Sequence, residues 1–325
     1  MNRFRKKRTT WRTRAGICLV VFFVLMLIPF VVVLTVVRPE QGTAERVSYE
    51  KQDTDAAYFV VCEQDAGSIS VPLETALVSV LGGIMDADAH KEALYAMAIL
   101  LRTQAVYDIE QTGSCIIEGY ASDAELRERW GENYESYHAV FAEAVSETTG
   151  IIMTYEGKPI ETAYHAVSAG RTRSPALLGS GHVYHWKEAE CGQDLMARDY
   201  RTVIDCPAEK LDACLRELTG SLSITGAHIV IEERDEAGYV LSLSISGGEF
   251  DAFRIGGERF RALLGLPSSH FTMESAEDSV RFICFGNGHG YGLSIYQACA
   301  LAEEGKNCME ILKYFFDEIV FMRIA

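Results

Sequence analysis

The chain has 325 residues, with 30 Lys and Arg against 46 Asp and Glu and a formal net charge of −16. Residues 1–37 hold seven of the bases and no acid, which leaves 23 bases against 46 acids, a net of −23, for the remainder. A surface of that sign repels phosphate backbones and anionic lipid, so no nucleic-acid partner is expected.

The basic residues Arg3, Arg5, Lys6, Lys7, Arg8, Arg12 and Arg14 precede an uncharged run from Ala15 to Val37. As a helix that run would be roughly 35 Å long, enough to cross a bilayer core with some tilt. The positive flank then stays in the cytoplasm, and Trp11 belongs at the interface. A cleaved signal peptide is the alternative, with Gly42 and Ala44 as a small-residue cleavage site, but its apolar core would be unusually long. The expected organisation is a cytoplasmic tail over 1–14, a transmembrane helix over 15–37, a linker over 38–56 and an extracytoplasmic domain over 57–325. The outer part is large enough for a real core. Eight of the nine cysteines lie in it, without a C-x-x-C pair, and permit disulfides without requiring them.

Strand-like runs at Tyr58–Cys62 and Ser68–Pro72 open the outer part. Leu73–Ile84 reads as a helix, Asp86–His90 as a turn, and Glu92–Tyr107 as a helix with Leu94, Met97, Leu101 and Ala105 on one face. Tyr134–Thr149 is a third helix, stopped by Gly150. Ile151–Tyr155 and Pro159–His165 flank Glu156–Lys158 as a hairpin. Pro207–Leu218 reads as a helix, and His228–Glu233, Tyr239–Ser246 and Phe250–Ile255 as a meander. Val280–Phe285 is a buried strand, and Leu293–Glu304 and Met309–Phe316 are closing helices. Helices and antiparallel hairpins mix without a βαβ rhythm, so the expected class is α+β.

Between that strand and helix lies Gly286–Gly292 (GNGHGYG), four glycines around His289. Glycines allow positive φ and close approach of a ligand to the backbone. The following helix points free N–H groups back at the loop, and His289 could donate to a sugar hydroxyl or carry a proton. A tight turn with a packed histidine is the plainer alternative. His182, His185, Cys191 and Cys206 could ligate zinc, yet their spacing fits no marked site and no metal is assigned. Ser168 lacks the G-x-S-x-G setting of a hydrolase nucleophile. No cofactor is expected.

Gly288–Ala298 (GHGYGLSIYQA), followed by Glu310–Phe315 (EILKYF), resembles the signature of the stage II sporulation protein D family, which is related to the amidase-enhancer LytB proteins. Glu92–Ala105 (EALYAMAILLRTQA), Tyr164–Thr172 (YHAVSAGRT) and Ile255–Phe271 (IGGERFRALLGLPSSHF) are similar to further family segments, in the same order. The resemblance implies a membrane-anchored sporulation protein that remodels peptidoglycan during engulfment by lytic transglycosylation of glycan strands lacking stem peptides. Its partners would be glycan strands, the membrane and other engulfment or cell-wall proteins, with recruitment of a cell-wall amidase as an alternative role. In such an enzyme one glutamic acid protonates the glycosidic oxygen and then takes the proton of the muramyl 6-hydroxyl, which needs a pKa raised by burial. That glutamate falls on Ile84 here, and an aliphatic chain transfers no proton. Asp86, two residues on, is the surrogate candidate. By resemblance Arg102 supplies fixed charge in the cleft, Ser168, Gly170 and Thr172 hydrogen-bond the sugar, and His289, Gly290 and Tyr296 form the opposite wall. The expectation is a glycan-binding cleft with weak or lost catalysis.

Overall fold

The computed structural model describes residues 58–64, 67–117, 119–179, 185–219, 228–247, 250–275 and 279–324. The expected basic tail, transmembrane helix and linker all lie outside these residues. No described helix is long and apolar enough to cross a membrane.

Strands β1 (Phe59–Gln64) and β2 (Gly67–Pro72) form an antiparallel hairpin, as expected. Helix α1 (Leu73–Ile84) follows, and α2 spans Lys91–Thr112, five residues past its expected end. His90 caps its start by accepting from the Glu92 N–H at 3.3 Å. At its other end Gly113 takes a left-handed conformation and donates to the Ile109 carbonyl. The central turns of α2 are largely buried, at Ala93, Leu94 and Ala96 to Leu100 with Tyr95 half-buried, because α1, the later helices and a strand all pack on it. A helix apolar all round is an interior one. β3 (Ile116–Ile117) then returns to pair parallel with β1.

Helix α3 (Asp123–Trp130), not foreseen, starts on a capping box between Ser122 and Glu125. It leads into α4 (Tyr134–Glu147), and both flank α1. β4 (Ile151–Tyr155) turns back into β5 (Lys158–Pro159), so the expected hairpin exists but is short. The remainder does not continue it: β6 (Tyr164–His165) pairs parallel with β13 (Leu293–Ser294), 129 residues away in register. The final strand β14 (Val320–Arg323) lies antiparallel on the other side of β4.

A second core is built by β7 (Arg201–Pro207), α5 (Ala208–Thr219), the meander β8 (His228–Arg234), β9 (Val240–Gly247) and β10 (Phe250–Gly256), α6 (Gly257–Leu264), β11 (Phe271–Ser275) and β12 (Ser279–Phe285). Its sheets have the orders β10-β9-β8 and β11-β12-β7. Leu215, Leu243, Ile245, Phe260, Phe271 and Phe282 fill the space between them. The chain closes with α7 (Ile295–Glu303) and α8 (Cys308–Phe315), both lying on α2. Mixed helices and mainly antiparallel sheets make the class α+β.

Candidate functional site: the glycine loop and the pocket at Ile84

The glycine loop leaves β12 and is held on both sides by backbone. Val167 and Asn287 exchange hydrogen bonds at 3.0 and 2.7 Å, the Gly288 N–H reaches Pro267 O at 2.8 Å, and the Arg173 N–H reaches Gly290 O at 2.8 Å. Such contact needs glycine. A Cβ at Gly290, where φ is +79°, would stand 2.5 Å from the Tyr239 ring, and one at Gly288, where φ is +118°, 2.6 Å from His165 Cβ. Close approach here is made by the protein's own chain.

His289 is a packed residue. Its Nδ1 accepts from the Tyr291 N–H at 3.0 Å. Burial, then the nearby Arg261 and Arg173 charges, push its pKa down against Glu258. His165 lies beneath it, ring centres 5.9 Å apart. Its Nδ1 donates to Tyr291 O at 3.0 Å, while Nε2 has no partner among the described residues. Burial, and then His289, pull the His165 pKa down to about 3. Two neutral imidazoles therefore sit under the loop, and only the outer one was foreseen.

Two buried polar groups lock the surroundings. Arg173 pairs with Asp235 at 2.6 Å, both side chains 2% exposed, and with Glu258 at 2.7 Å. Its guanidinium lies between the Tyr239 and Tyr291 rings, 4.8 and 4.5 Å from their centres. Asp194 is fully buried in the 3-10 turn Gly192–Met196. It accepts from the Ser168 N–H at 2.6 Å and from Ser294 Oγ at 2.7 Å. Burial raises its pKa, opposed by those hydrogen bonds. No feature of the surrounding sequence marks either residue, because their partners lie 26–100 positions away.

Of the expected site residues, Ser168, Gly170, Thr172, His289, Gly290 and Tyr296 do gather around this loop, but most face inward. Ser168 and Thr172 are fully buried. The Ser168 hydroxyl accepts from the Gly170 N–H, and that of Thr172 donates to Lys187 O. Gly170 is half-buried, and Tyr296 is 37% exposed with its N–H on Ala166 O. Arg102 lies elsewhere. It is fully buried, and its fork clasps Glu74 through Nε–Oε1 and Nη2–Oε2, both 2.7 Å. The other guanidinium bonds go to Thr148, Val145 O and Ile151 O, so its charge stitches α1 to the α4–β4 turn instead of facing a cleft.

Ile84 stands at the end of α1 on the wall of a separate pocket of about 300 Å³, shared with Asp86, Arg129, Trp130, Tyr137 and Phe141. Asp86 is exposed, on a turn whose carbonyl accepts from the Ala89 N–H. Helix α7 links the two regions. Asp194 holds its start, and burial raises the Cys299 thiol on it to about 11, with Glu303, Asp86 and Asp88 adding to the rise. Among the described residues no three potential ligands gather for a metal. His182 lies outside those residues, His185 Nδ1 donates to Asp317 O, and Cys206 sits in the second core, away from Cys191 beside Asp194.

Residues 66–155 match the family model for stage II sporulation protein, SpoIID. The chain is 28% identical over 263 residues to stage II sporulation protein D of Bacillus subtilis (strain 168), covering 76% of this chain and 73% of that protein. Residues 66–155 therefore carry a SpoIID domain, in a chain similar over most of its length to stage II sporulation protein D. The corresponding protein of Bacillus amyloliquefaciens is 26% identical, covering 77% and 74%. An uncharacterised protein of Brachyspira hyodysenteriae (strain ATCC 49526 / WA1) is 24% identical, covering 76% and 66%. Ile84, Asp86 and Arg102 fall inside the SpoIID match, with the whole of the α3–α4 wall of the pocket. The glycine loop falls outside it.

Proposed function

We propose that the chain is a membrane-anchored, extracytoplasmic sporulation protein of the SpoIID type that acts in peptidoglycan remodelling during engulfment. It grips glycan strands and has weak or no lytic transglycosylase activity. The observation that carries this reading is the pocket at the end of α1. Its wall presents Ile84, and the acid that shares it, Asp86, stands in solvent. One-residue acid–base work on a glycosidic bond needs a carboxyl held protonated by burial, and Ile84 offers no proton to exchange. The anchor would be the 15–37 segment, the domain would lie outside the cell, and its partners would be glycan strands and other cell-wall proteins.

The second reading is an active transglycosylase that uses Asp86, favoured because that carboxylate opens onto the same pocket. Both are tested by incubating the full chain, in detergent, with glycan strands stripped of peptide, then assaying retention and searching by mass spectrometry for 1,6-anhydromuramyl ends. Retention without anhydro ends is expected. Anhydro ends that disappear in Asp86→Asn would overturn the binding-only reading. A chain that neither binds nor cuts would leave amidase recruitment.

A further inference from the structure

We propose that the open edge of β7 pairs with the same edge of a second copy of this chain, antiparallel about a two-fold axis at Val203, so that two three-stranded sheets join into one. The strand lies in the second core, outside residues 66–155, and contributes nothing to the Ile84 pocket.

The edge is regular and bare. β7 ends the strand order β11-β12-β7, and it pairs with β12 from Arg201 to Pro207 without a register shift. One place beyond that ladder the Gly286 N–H donates to Tyr200 O at 2.7 Å. Hydrogen-bonded pairs alternate along an antiparallel ladder, so Thr202, Ile204 and Cys206 turn their backbone groups to β12. Arg201, Val203 and Asp205 turn theirs to the other side, where no described strand lies. The other sheet edges of this core are obstructed. β8 and β10 carry register shifts, at Ile231–Arg234 and Phe250–Phe253, and such bulges twist an edge away from partners. On β11 the Arg234 guanidinium already sits on Phe271 O at 2.6 Å. An unbroken open edge is a template for another strand.

Its outer face is complementary to itself. Arg201, Val203 and Asp205 are exposed, Val203 to 45%, whereas Ile204 and Cys206 pack on the core. Arg201 stands two places before Val203 and Asp205 two places after it. A two-fold axis at Val203 therefore sets each Arg201 opposite Asp205 of the second copy, and valine on valine. Half of that charge pattern is already built. The register lines up Glu274, Arg281 and Asp205 across the sheet, with Arg281 Nε 2.7 Å from Asp205 Oδ1. Arg201 of the second copy continues the row with the next alternating sign, and it makes no ion pair of its own among the described residues. Val203 continues a second row, of Thr272 and Ile283. Opposite charges directly across a strand pair stabilise it and like charges weaken it. A parallel pairing in register would set arginine on arginine and aspartate on aspartate, so the charges select the antiparallel arrangement. Pro207, with no N–H to give, ends the pairing.

Pairing from Arg201 to Asp205 is a small interface and supports a weak complex, with a dissociation constant of about 10 μM. The contact uses the same edge on both copies, so it closes at two chains and builds no fibre. On the glycan-binding function proposed above, such a dimer holds one polymer at two places and raises retention without any new contact to sugar.

The test is sedimentation equilibrium of the full chain at about 100 μM, in a density-matched detergent, so that the mass read is that of protein alone. Wild type is expected to weigh mainly as two chains. R201D sets acid against acid twice, by symmetry, and should raise the dissociation constant by about 10- to 100-fold. R201D/D205R exchanges the two signs and should restore the dimer. V203P removes an N–H that points to the open edge, a change an edge strand tolerates, so it should give single chains with a urea midpoint near wild type. Should V203P fail to fold, R201D and the exchanged pair decide the matter alone. A wild type with the mass of one chain overturns the proposal. So does a dimer that R201D and V203P both leave intact, which would place the contact elsewhere, the 15–37 segment included.

Discussion

Replacing Arg102 separates a fold-holding role from a ligand-binding one. The side chain is fully buried and Glu74 is 39% exposed, and their two contacts of 2.7 Å form a parallel fork. Arg102→Met would strand the Glu74 carboxylate and remove the donor from Val145 O, Ile151 O and the Thr148 hydroxyl. Breaking a buried pair in this way costs about 3–5 kcal/mol. Solvent screening of the half-exposed Glu74 places the expected loss at the lower end, about 3 kcal/mol. With a urea dependence of about 3 kcal/mol per molar, the unfolding midpoint should fall by about 1 M. Arg102→Lys keeps the charge but cannot span both oxygens and the carbonyls, and should lose about half as much. The assay is urea unfolding of the full chain in detergent, read by tryptophan fluorescence, with glycan retention measured below the transition. An Arg102→Lys chain that unfolds at the wild-type midpoint but no longer binds glycan would refute this account and place the guanidinium in the cleft.

Gly290→Ala brings a Cβ to 2.5 Å from the Tyr239 ring at a φ of +79° and should cost about 2 kcal/mol or more, seen as a lowered thermal midpoint; an unchanged midpoint means the loop relaxes freely. Asp194→Asn places an amide among donors from Ser168 and Ser294, and a loss of about 1–3 kcal/mol in urea unfolding is expected. The pH dependence follows from His165, whose native pKa of about 3 lies below the ordinary 6.5. The unfolded chain takes that proton first, so stability is intact above about pH 6.5 and falls as pH drops toward 3, by about 1.4 kcal/mol per pH unit. His270 and His289, also depressed by burial, act in the same sense, while Asp194, raised by burial, opposes them. Urea midpoints at pH 7, 6 and 5 should converge between wild type and His165→Asn as the pH falls; parallel curves would show that His165 is not the group concerned.

What could be read from the chain alone was whatever repeats locally. The period of α2, the alternation of the β8–β10 meander and the glycine spacing before α7 are properties of neighbouring residues, and each placed its element. Burial and partnership across long separations were decided by the tertiary structure. An arginine in an apolar helix is compatible with a cleft or with a buried pair, and only the position of Glu74, 28 residues earlier, chose the pair. Ser168, Thr172 and His289 matched a pattern whose outward or inward orientation depends on the loops that close over them, and here the Asp194 turn and the Gly290–Arg173 contact turn them inward. The Arg129–Trp130 wall was unreadable for the same reason: a short charged helix carries no sign of the glycine on α1 that gives the indole its seat. Sequence periodicity encodes which face of an element is apolar, whereas the partner of each polar group is set by where the chain returns.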